Sequence, residues 1–312
     1  MRTVAFGPVP SRRLGRSVGI NNIPPKVCSY SCVYCQVGKT VGMTRARRSF
    51  YKPEDIFEQV KTKVNETNQR NEPIDYLTFV ADGEPTLDIN LGKEISLLKH
   101  LGIPIAVITN SSLIWKDDTK EDLLEADFVS LKVDSVNEEL WKRINRPHKD
   151  LRLSTILESI SDFVKEFRGT IVSETMLVDG INYDGEFERI AEFLKHLKRL
   201  DKAYLAIPTR PPTEVWVTPA KEETVNEAFQ VFSEKLGANK LEYLIGYEGN
   251  AFSFTGRVEE DLLSITSVHP MREEAVKEFL KKTDTGWSII EKLLLENKLV
   301  ELEYSGKVYY MR

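Results

Sequence analysis

Beyond Pro53 the chain alternates between short apolar runs and longer segments in which apolar residues recur at helical spacing. The short runs are typical of strands that are buried on both faces, as parallel strands are. An early candidate strand lies at Val18–Ile20, and five more follow it: Tyr76–Val80, Ile105–Ile108, Phe128–Val133, Thr170–Val178 and Ala203–Ile207. Amphipathic helices are predicted over residues 53–68, 153–167, 184–198 and 221–236.

Strands that alternate with helices predict an α/β fold with a parallel sheet. Six such units fit a partial (β/α)6 barrel, open on one side, better than the eight units of a closed barrel. The region 240–268 predicts one or two more strands, at Leu241–Ile245 and Ala251–Phe254. We expect the barrel and a basic N-terminal segment to occupy residues 1–255.

From Pro270 the pattern changes to helix, turn, helix and hairpin: Arg272–Lys282, Thr283–Gly286, Trp287–Asn297, then Leu299–Tyr304 joined to Lys307–Met311. This order predicts a small winged-helix-like domain over residues 256–312. Its second helix carries Glu291 and Glu296, unlike the basic helix that reads DNA, so no sequence-specific DNA partner is expected. The sequence leaves three roles open for this domain: docking of a protein or substrate, a lid on the open side of the barrel, and a simple cap on the barrel.

Composition adds two expectations. With 312 residues, 41% of them hydrophobic, the chain can form one large domain and a small appendage. No apolar stretch approaches the roughly 18 residues of a membrane helix, and the first residues do not resemble a signal peptide, so we expect a cytoplasmic protein without a membrane partner.

Residues 1–53 contain ten Lys and Arg and no Asp or Glu. Such asymmetry predicts an anionic partner or substrate, or merely balances an acidic body.

The three cysteines, Cys28, Cys32 and Cys35, all lie within eight residues. An odd number in one short loop argues against a disulfide framework, and a four-thiolate zinc site is impossible within the chain. Three thiolates can bind three irons of a cubane 4Fe–4S cluster and leave the fourth iron without a protein ligand. Such an open iron can bind a small molecule, as the open coordination position of a catalytic zinc site does. A structural zinc with a distant histidine remains an alternative, whereas an electron carrier would need a fourth thiolate.

The spacing C-x3-C-x2-C, with Tyr34 just before the last cysteine, resembles the signature of the radical S-adenosylmethionine superfamily. The resemblance implies an enzyme whose cofactors are a 4Fe–4S cluster and S-adenosylmethionine, with the three cysteines as catalytic cluster ligands. An electron from an external one-electron reductant then breaks the sulfur–C5′ bond. The products are methionine and a 5′-deoxyadenosyl radical, which abstracts hydrogen from a substrate.

The turn after the second strand, Asp82-Gly83-Glu84-Pro85, is similar to the superfamily's Gly-Gly-Glu-Pro motif, with Asp82 in place of the first glycine. A tight turn exposes backbone carbonyls and the Glu84 carboxylate. These are acceptors for the methionine ammonium group.

Polar residues also follow the third and fourth strands. Asn110 stands where related enzymes often have Thr-Asn-Gly, and the resemblance places cosubstrate-binding residues at the end of the fourth strand. Lys132 is a candidate partner for the methionine carboxylate and Asp134 for the ribose hydroxyls. Structural roles, with Asn110 as a helix cap and Lys132 as the partner of a nearby acid, remain open.

Two residues at strand ends are candidate substrate contacts. Glu174 is an acidic residue in an otherwise apolar strand, and Arg210 is flanked by prolines. Basic residues near the cysteines are further candidates: Arg12, Arg13, Arg45, Arg47 and Arg48. Residues 7–22 and the segment Arg143–Pro147 resemble the branch of wyosine-synthesis, tRNA-modifying enzymes. Those enzymes carry additional cysteines, which this chain lacks, so the tRNA-Phe reaction itself is not expected. A tRNA, another anionic substrate, or a protein or peptide to be modified or activated remains open. The rival class is a redox-sensing regulator that signals through the winged helix.

Overall fold

The computed structural model describes residues 4–246, 249, 250, 252, 254 and 257–312. Its strands are β1 (Ala5–Ser11), β2 (Gly15–Ile20), β3 (Val27–Cys28), β4 (Gly42–Met43), β5 (Tyr76–Phe79), β6 (Ile105–Thr109), β7 (Phe128–Lys132), β8 (Thr170–Met176), β9 (Lys202–Ala206), β10 (Leu241–Leu244), β11 (Met271–Arg272), β12 (Val300–Tyr304) and β13 (Lys307–Met311). Its helices are α1 (Pro53–Asn68), α2 (Leu91–Leu98), α3 (Asp117–Leu124), α4 (Glu138–Asn145), α5 (Leu153–Glu166), α6 (Glu186–His196), α7 (Glu222–Leu236), α8 (Val258–Thr266), α9 (Glu273–Lys282) and α10 (Ser288–Leu295).

The main sheet has the strand order β1-β2-β5-β6-β7-β8-β9-β10. Each neighbouring pair from β2 to β10 is parallel, and β1 alone pairs antiparallel. The six predicted strands are therefore confirmed in one parallel sheet that curls into an open half-barrel. This confirms the α/β partial-barrel prediction. The further strand predicted at Leu241–Ile245 forms β10 at one edge of the sheet, and β1, which was not predicted, lies at the other edge.

The strands and helices form where apolar side chains pack into the core of the barrel. Strand β5 is buried at Leu77 and Phe79, and helix α5 buries Ile156 and Ile160 against the outer face of the barrel. Helix α1 starts at Pro53, whose missing N–H costs nothing in a first turn. The four long helices predicted from periodicity are confirmed to within two residues at each end. Every parallel strand points its carboxyl end to the same rim, which is where barrel enzymes place their chemistry.

The C-terminal elements follow the order α8, β11, α9, α10, β12, β13, and the three strands form a sheet of order β11-β13-β12. The helix–helix–hairpin order agrees with the sequence expectation. The winged-helix assignment and the boundary after residue 255 stay predictions. The apolar core of this unit includes Phe6 and Val9 of β1, so the unit packs on the antiparallel edge of the barrel.

Two further expectations concern the strand predicted at Ala251–Phe254 and membrane-spanning helices. The strand predicted over Ala251–Phe254 includes residues 251 and 253, which lie outside the described residues. None of the helices in the described ranges is both long and apolar enough to span a bilayer.

Candidate active site

The carboxyl ends of the parallel strands surround a cavity of about 360 Å³. Most of the residues singled out from the sequence line it: Cys28, Cys32, Cys35, Tyr34, Asp82, Gly83, Glu84, Asn110, Lys132, Glu174, Arg12, Arg13 and Arg210. Residues predicted on separate segments are thus brought to one place. Pro85, Asp134, Arg45, Arg47 and Arg48 do not line the cavity.

The cysteine loop follows β2 and is held by backbone hydrogen bonds. The Val33 amide donates to the Ile144 carbonyl over 2.9 Å, and the Thr44 amide donates to the Cys28 carbonyl over 3.0 Å. All three cysteines are free thiols. Because their backbone is fixed from two sides, the loop presents them to the cavity without help from a disulfide.

Amide groups face two of the three sulfurs. The Asn110 Nδ2 donates to Cys28 Sγ, and the Asn145 Nδ2 donates to Cys32 Sγ, each over 3.5 Å. Burial raises the pKa of the Cys32 thiol to about 12, although the Asn145 donor acts against it. A buried thiol of this kind ionises when a metal centre binds it.

The donor set fits a cluster. Three thiols reach one cavity, and two of their sulfurs are already faced by donors, which is how proteins stabilise cluster sulfur. Among the residues within the described ranges, no group of three or more His, Cys, Asp and Glu side chains is arranged to hold a single metal ion.

Gly83 and Glu84, in the turn after β5, line the cavity. A Cβ on Gly83 would overlap the carbonyl oxygen of Val27, so only glycine fits beside the cysteine loop. The Glu84 carboxylate is 1% exposed and accepts hydrogen bonds from two neighbouring segments. Its donors are the Thr86 amide at 3.1 Å, the Thr86 hydroxyl at 2.6 Å, the Thr109 hydroxyl at 2.6 Å and the Asn110 amide at 2.7 Å. Glu84 therefore ties the end of β5 to the end of β6.

Asp134 lies behind Tyr34 rather than in the cavity wall. Its Oδ2 accepts from the Tyr34 hydroxyl and from Asn145 Nδ2 at 2.6 Å, and its Oδ1 accepts from the Met176 amide at 2.8 Å. The ring of Tyr34 in turn lies 4.9 Å from the Lys132 ammonium. Asp134 thus orients Tyr34, and its predicted contact with ribose stays a prediction.

Glu174 is the centre of a buried charge group. Its carboxylate pairs with the Arg13 guanidinium on one oxygen and the Lys132 ammonium on the other. Burial alone would raise the pKa of Glu174, but the charges of Arg13 and Lys132 hold it at about 2. The same carboxylate and that of Asp134 raise the pKa of Lys132 against the effect of burial. Glu174 and Lys132 are therefore both charged at neutral pH.

The part of the cavity lining around Arg210 is polar and cationic. Arg210 donates to Gln36 Oε1 at 2.6 Å and to His269 Nε2 at 3.1 Å. Burial lowers the pKa of His269 well below its ordinary value, and Arg210 and Arg12 lower it further, so this imidazole is neutral. His269 comes from the C-terminal unit, which also holds the 208–210 segment through the Tyr309 hydroxyl on the Thr209 carbonyl at 2.8 Å.

The remaining arginines lie outside the cavity. Arg47 is 3% exposed, and its guanidinium is engaged by the carboxylates of Asp118 and Asp122 and by two backbone carbonyls. These contacts anchor Arg47 between α3 and the turn after β5, and its predicted contact with a substrate stays a prediction. Arg45 and Arg48 are more open, with guanidiniums 6.0 Å and 4.8 Å from aromatic rings.

Sequence reasoning missed three side chains of this site: Asn145, Gln36 and His269. Asn145 stands in the Arg-Ile-Asn-Arg-Pro segment that carried the family resemblance, and that was the one available signal for it. Gln36 directly follows the last cysteine, but glutamine carries no chemistry that marks it. His269 reaches the cavity only through packing of the C-terminal unit.

Comparison with known proteins agrees with this geometry. The family model described as the radical SAM superfamily matches residues 22–194, more than half of the chain. The chain belongs to the radical SAM superfamily. The prediction of an enzyme that uses a 4Fe–4S cluster and S-adenosylmethionine is thereby confirmed at the level of this family.

A curated relative of this radical SAM chain covers almost all of it. The UPF0026 protein MJ1312 of Methanocaldococcus jannaschii is 55% identical over 311 residues, which are 99% of this chain and 96% of that protein. A radical SAM methyltransferase from Sphaerobacter thermophilus has a similar structure, with a TM-score of 0.55 and 15% identity over 73% of this chain and 66% of that one. A structure of TYW1 with a lysine-pyruvate adduct has a TM-score of 0.52 and 16% identity, over 70% and 73%. At these identities the two structures share the fold alone.

Proposed function

We propose that Cys28, Cys32 and Cys35 hold the 4Fe–4S cluster with one iron open toward the cavity, and that an anionic substrate binds beside the arginines that line the same cavity. One observation carries this proposal: three thiols and a group of cations line the same cavity at the carboxyl ends of parallel strands. When bound, the cluster supplies the electron that cleaves S-adenosylmethionine to methionine and a 5′-deoxyadenosyl radical, which takes a hydrogen atom from the substrate.

The methionine part of S-adenosylmethionine binds between the glutamate turn and β7 in this proposal. The Gly83 carbonyl accepts from its ammonium group, because the four hydrogen bonds on Glu84 already commit that carboxylate. Asn110 keeps its side-chain amide on Cys28 Sγ and so supports that cluster ligand. Lys132 holds the methionine carboxylate with one proton while Glu174 keeps another, since an ammonium has three donors.

Asp134 and Asn145 are positioning residues. Neither lines the cavity, yet together they fix the hydroxyl of Tyr34 and place an amide on Cys32. Their role is to hold Tyr34 and one cluster ligand in place while the cavity fills. This support suits a site in which small displacements of the reacting atoms are costly.

The substrate site lies toward Arg12, Arg13 and Arg210, with Glu174 as an acceptor and His269 as a neutral partner. Arginine presents a planar fork that suits a carboxylate or a phosphate. Arg12 donates to the Gly246 carbonyl at 2.7 Å, which aims its side chain along the cavity wall. A small anionic molecule, or the anionic end of a larger one, fits this wall.

A tRNA is a second candidate substrate because Arg45 and Arg48 stand outside the cavity next to aromatic rings. Cations interleaved with aromatics suit phosphates and unstacked bases. Labelled tRNA mixed with the protein tests this role. Loss of binding in Arg45→Ala and Arg48→Ala would support it, and absence of binding by the unmodified protein would end it.

The main proposal is tested by anaerobic reconstitution with iron and sulfide, followed by dithionite and S-adenosylmethionine. We expect 5′-deoxyadenosine from the unmodified protein and none above background from Cys32→Ala. The matched control is Leu295→Ala on α10, whose side chain is 83% exposed and far from the cysteines in the chain. A redox sensor would bind the cluster and yield no 5′-deoxyadenosine.

A further inference from the structure

Two asparagines that follow β2 hold the two ends of the glutamate turn, residues 82–85. The side-chain oxygen of Asn21 accepts from the Asp82 amide at 3.1 Å, and the Asn22 Nδ2 donates to the Pro85 carbonyl at 3.3 Å. Asn22 is fully buried, so its side chain must find its hydrogen-bond partners within the protein. The position of the turn therefore depends on how the Asn22 carboxamide is held.

A buried glutamate in the first turn of α2 holds this carboxamide. The Asn22 Nδ2 also donates to Glu94 Oε2 at 3.0 Å, and Glu94 is 1% exposed. The Pro85 carbonyl can only accept, so the Asn22 atom that faces it is the nitrogen, and the orientation of the amide is fixed. Within the described residues, Asn22 Oδ1 and Glu94 Oε1 are buried without a hydrogen-bond partner.

A single proton on Glu94 satisfies both of these oxygens. A protonated Oε1 is a donor, and Asn22 Oδ1 is an acceptor that has no other donor among the described residues. The carboxyl group and the carboxamide then form a cyclic pair, in which each group donates one hydrogen bond and accepts one. An ionised Glu94 would instead leave two buried acceptors without a donor, which is costly.

The groups around Glu94 also favour its neutral form. Burial, the charge of Asp88 and, more weakly, that of Asp122 raise the pKa of Glu94 to about 9, although the carboxamide donor acts against them. The N-terminal end of α2 favours a negative charge, but this effect is much smaller than a shift of that size. Arg47 is shared between Asp122 and Asp118, so it stabilises those carboxylates instead.

We propose that Glu94 carries a proton at neutral pH and shares it with Asn22, and that this neutral pair positions the glutamate turn for S-adenosylmethionine. Glu94 is a positioning residue, because it does not line the cavity and acts only through Asn22 and Pro85. This inference rests on the proposed function, in which the Gly83 carbonyl accepts from the ammonium group of S-adenosylmethionine. When Glu94 loses its proton, its bond to Asn22 Oδ1 is lost and the turn loses this support.

The first experiment measures the affinity for S-adenosylmethionine by titration calorimetry on the reconstituted holoenzyme, at pH 7.5 and at pH 10. Glu94→Gln replaces the protonated carboxyl by an uncharged amide of the same shape, which can form the same cyclic pair with Asn22. At pH 7.5 its affinity should therefore lie within about twofold of that of the unmodified protein.

At pH 10 the two proteins should differ. Because the proton is lost as the pH rises through about 9, about one tenth of the unmodified protein keeps it at pH 10, and its affinity should be about tenfold weaker than that of Glu94→Gln. Comparison at one pH cancels the titration of S-adenosylmethionine itself and of the groups that both proteins share. Glu192→Gln, on an exposed ion pair with Lys235, is the matched control and should follow the unmodified protein at both pH values.

Infrared spectroscopy detects the proton directly and needs neither the cluster nor S-adenosylmethionine. The difference spectrum of the unmodified protein between pH 7.5 and pH 10 should show the loss of a C=O stretching band from a protonated carboxyl group. This band should be absent from Glu94→Gln and present in Glu192→Gln.

Three results would overturn the proposal. The first is an affinity ratio between Glu94→Gln and the unmodified protein that is the same at both pH values. The second is an infrared difference spectrum that is identical in the unmodified protein and in Glu94→Gln. The third is a melting temperature that rises with added Mg²⁺ in the unmodified protein and not in Glu94→Gln, because the oxygens would then hold a cation instead of a proton.

Failure of the proposed function has a different signature. If the unmodified holoenzyme does not bind S-adenosylmethionine at pH 7.5, the proposed function fails, and the link from Glu94 to binding fails with it. The infrared band of Glu94 would still decide whether the proton is there.

Discussion

Replacing Glu174 with glutamine tests the charge group that we assign to the centre of the cavity. Arg13, Lys132 and Glu174 have side chains only 13–15% exposed, so water screens their charges weakly. A carboxylate held at a pKa of about 2, against 4.5 for an ordinary glutamate, stabilises the folded state by about 3 kcal/mol when it is ionised. Glu174→Gln removes this contribution and leaves two cations facing each other.

The pH dependence follows from the direction of the shift. Because the folded-state pKa lies below the unfolded-state pKa, the stabilisation is complete above about pH 4.5 and is lost as the pH falls through about 2. In urea unfolding, Glu174→Gln should therefore be less stable than the unmodified protein by about 3 kcal/mol at pH 7, and by about half of that at pH 3. Glu192→Gln, on an exposed ion pair with Lys235, is the matched control and should leave the unfolding free energy unchanged at both pH values. A Glu174→Gln deficit that is absent at pH 7, or that has the same size at pH 3, would refute this account of the charge group.

Three further substitutions test other parts of the site. Asn145→Ala removes a hydrogen-bond donor to Cys32 Sγ and to the Asp134 carboxylate behind Tyr34. The midpoint potential of the cluster, measured by redox titration with electron paramagnetic resonance, should therefore become more negative. An unchanged potential would contradict the assigned donor. Gly83→Ala forces a Cβ against the cysteine loop, so binding of S-adenosylmethionine should weaken at least about tenfold in calorimetry, whereas Gly286→Ala, with space for its Cβ, should bind normally. Arg47→Ala should lower the unfolding free energy by about 3 kcal/mol, and Arg48→Ala should change it little; equal small effects would mean that Arg47 is not the buried anchor described above.

The parallel sheet could be predicted from the sequence because each of its inner strands is buried on both faces. Runs such as Ile105–Ile108 contain no polar position, and the helices between them have a clear apolar stripe. Strand β1 could not be predicted in this way. Its Gly-Pro-Val-Pro stretch argues against a central strand, and the structure places it at the sheet edge, where missing N–H donors are tolerated.

The site could be predicted where its residues share a local motif. The cysteines and the glutamate turn follow buried strands, so their place at one rim follows from the topology. The role of Arg47 could not be predicted, because its charge alone cannot distinguish a surface cation from one buried between Asp118 and Asp122. His269 lies 59 residues from Arg210, and only tertiary packing brings them together.

The central claim is that three cysteine thiolates anchor a cubane whose fourth iron is open to S-adenosylmethionine. The most direct measurement is electron paramagnetic resonance of the anaerobically reconstituted, reduced protein, before and after addition of S-adenosylmethionine labelled with ¹⁵N in its amino group. The account predicts a 4Fe–4S signal that changes on addition and a hyperfine coupling between the cluster and the labelled nitrogen. A single bound zinc ion, or a cluster signal with no change and no nitrogen coupling, would contradict it.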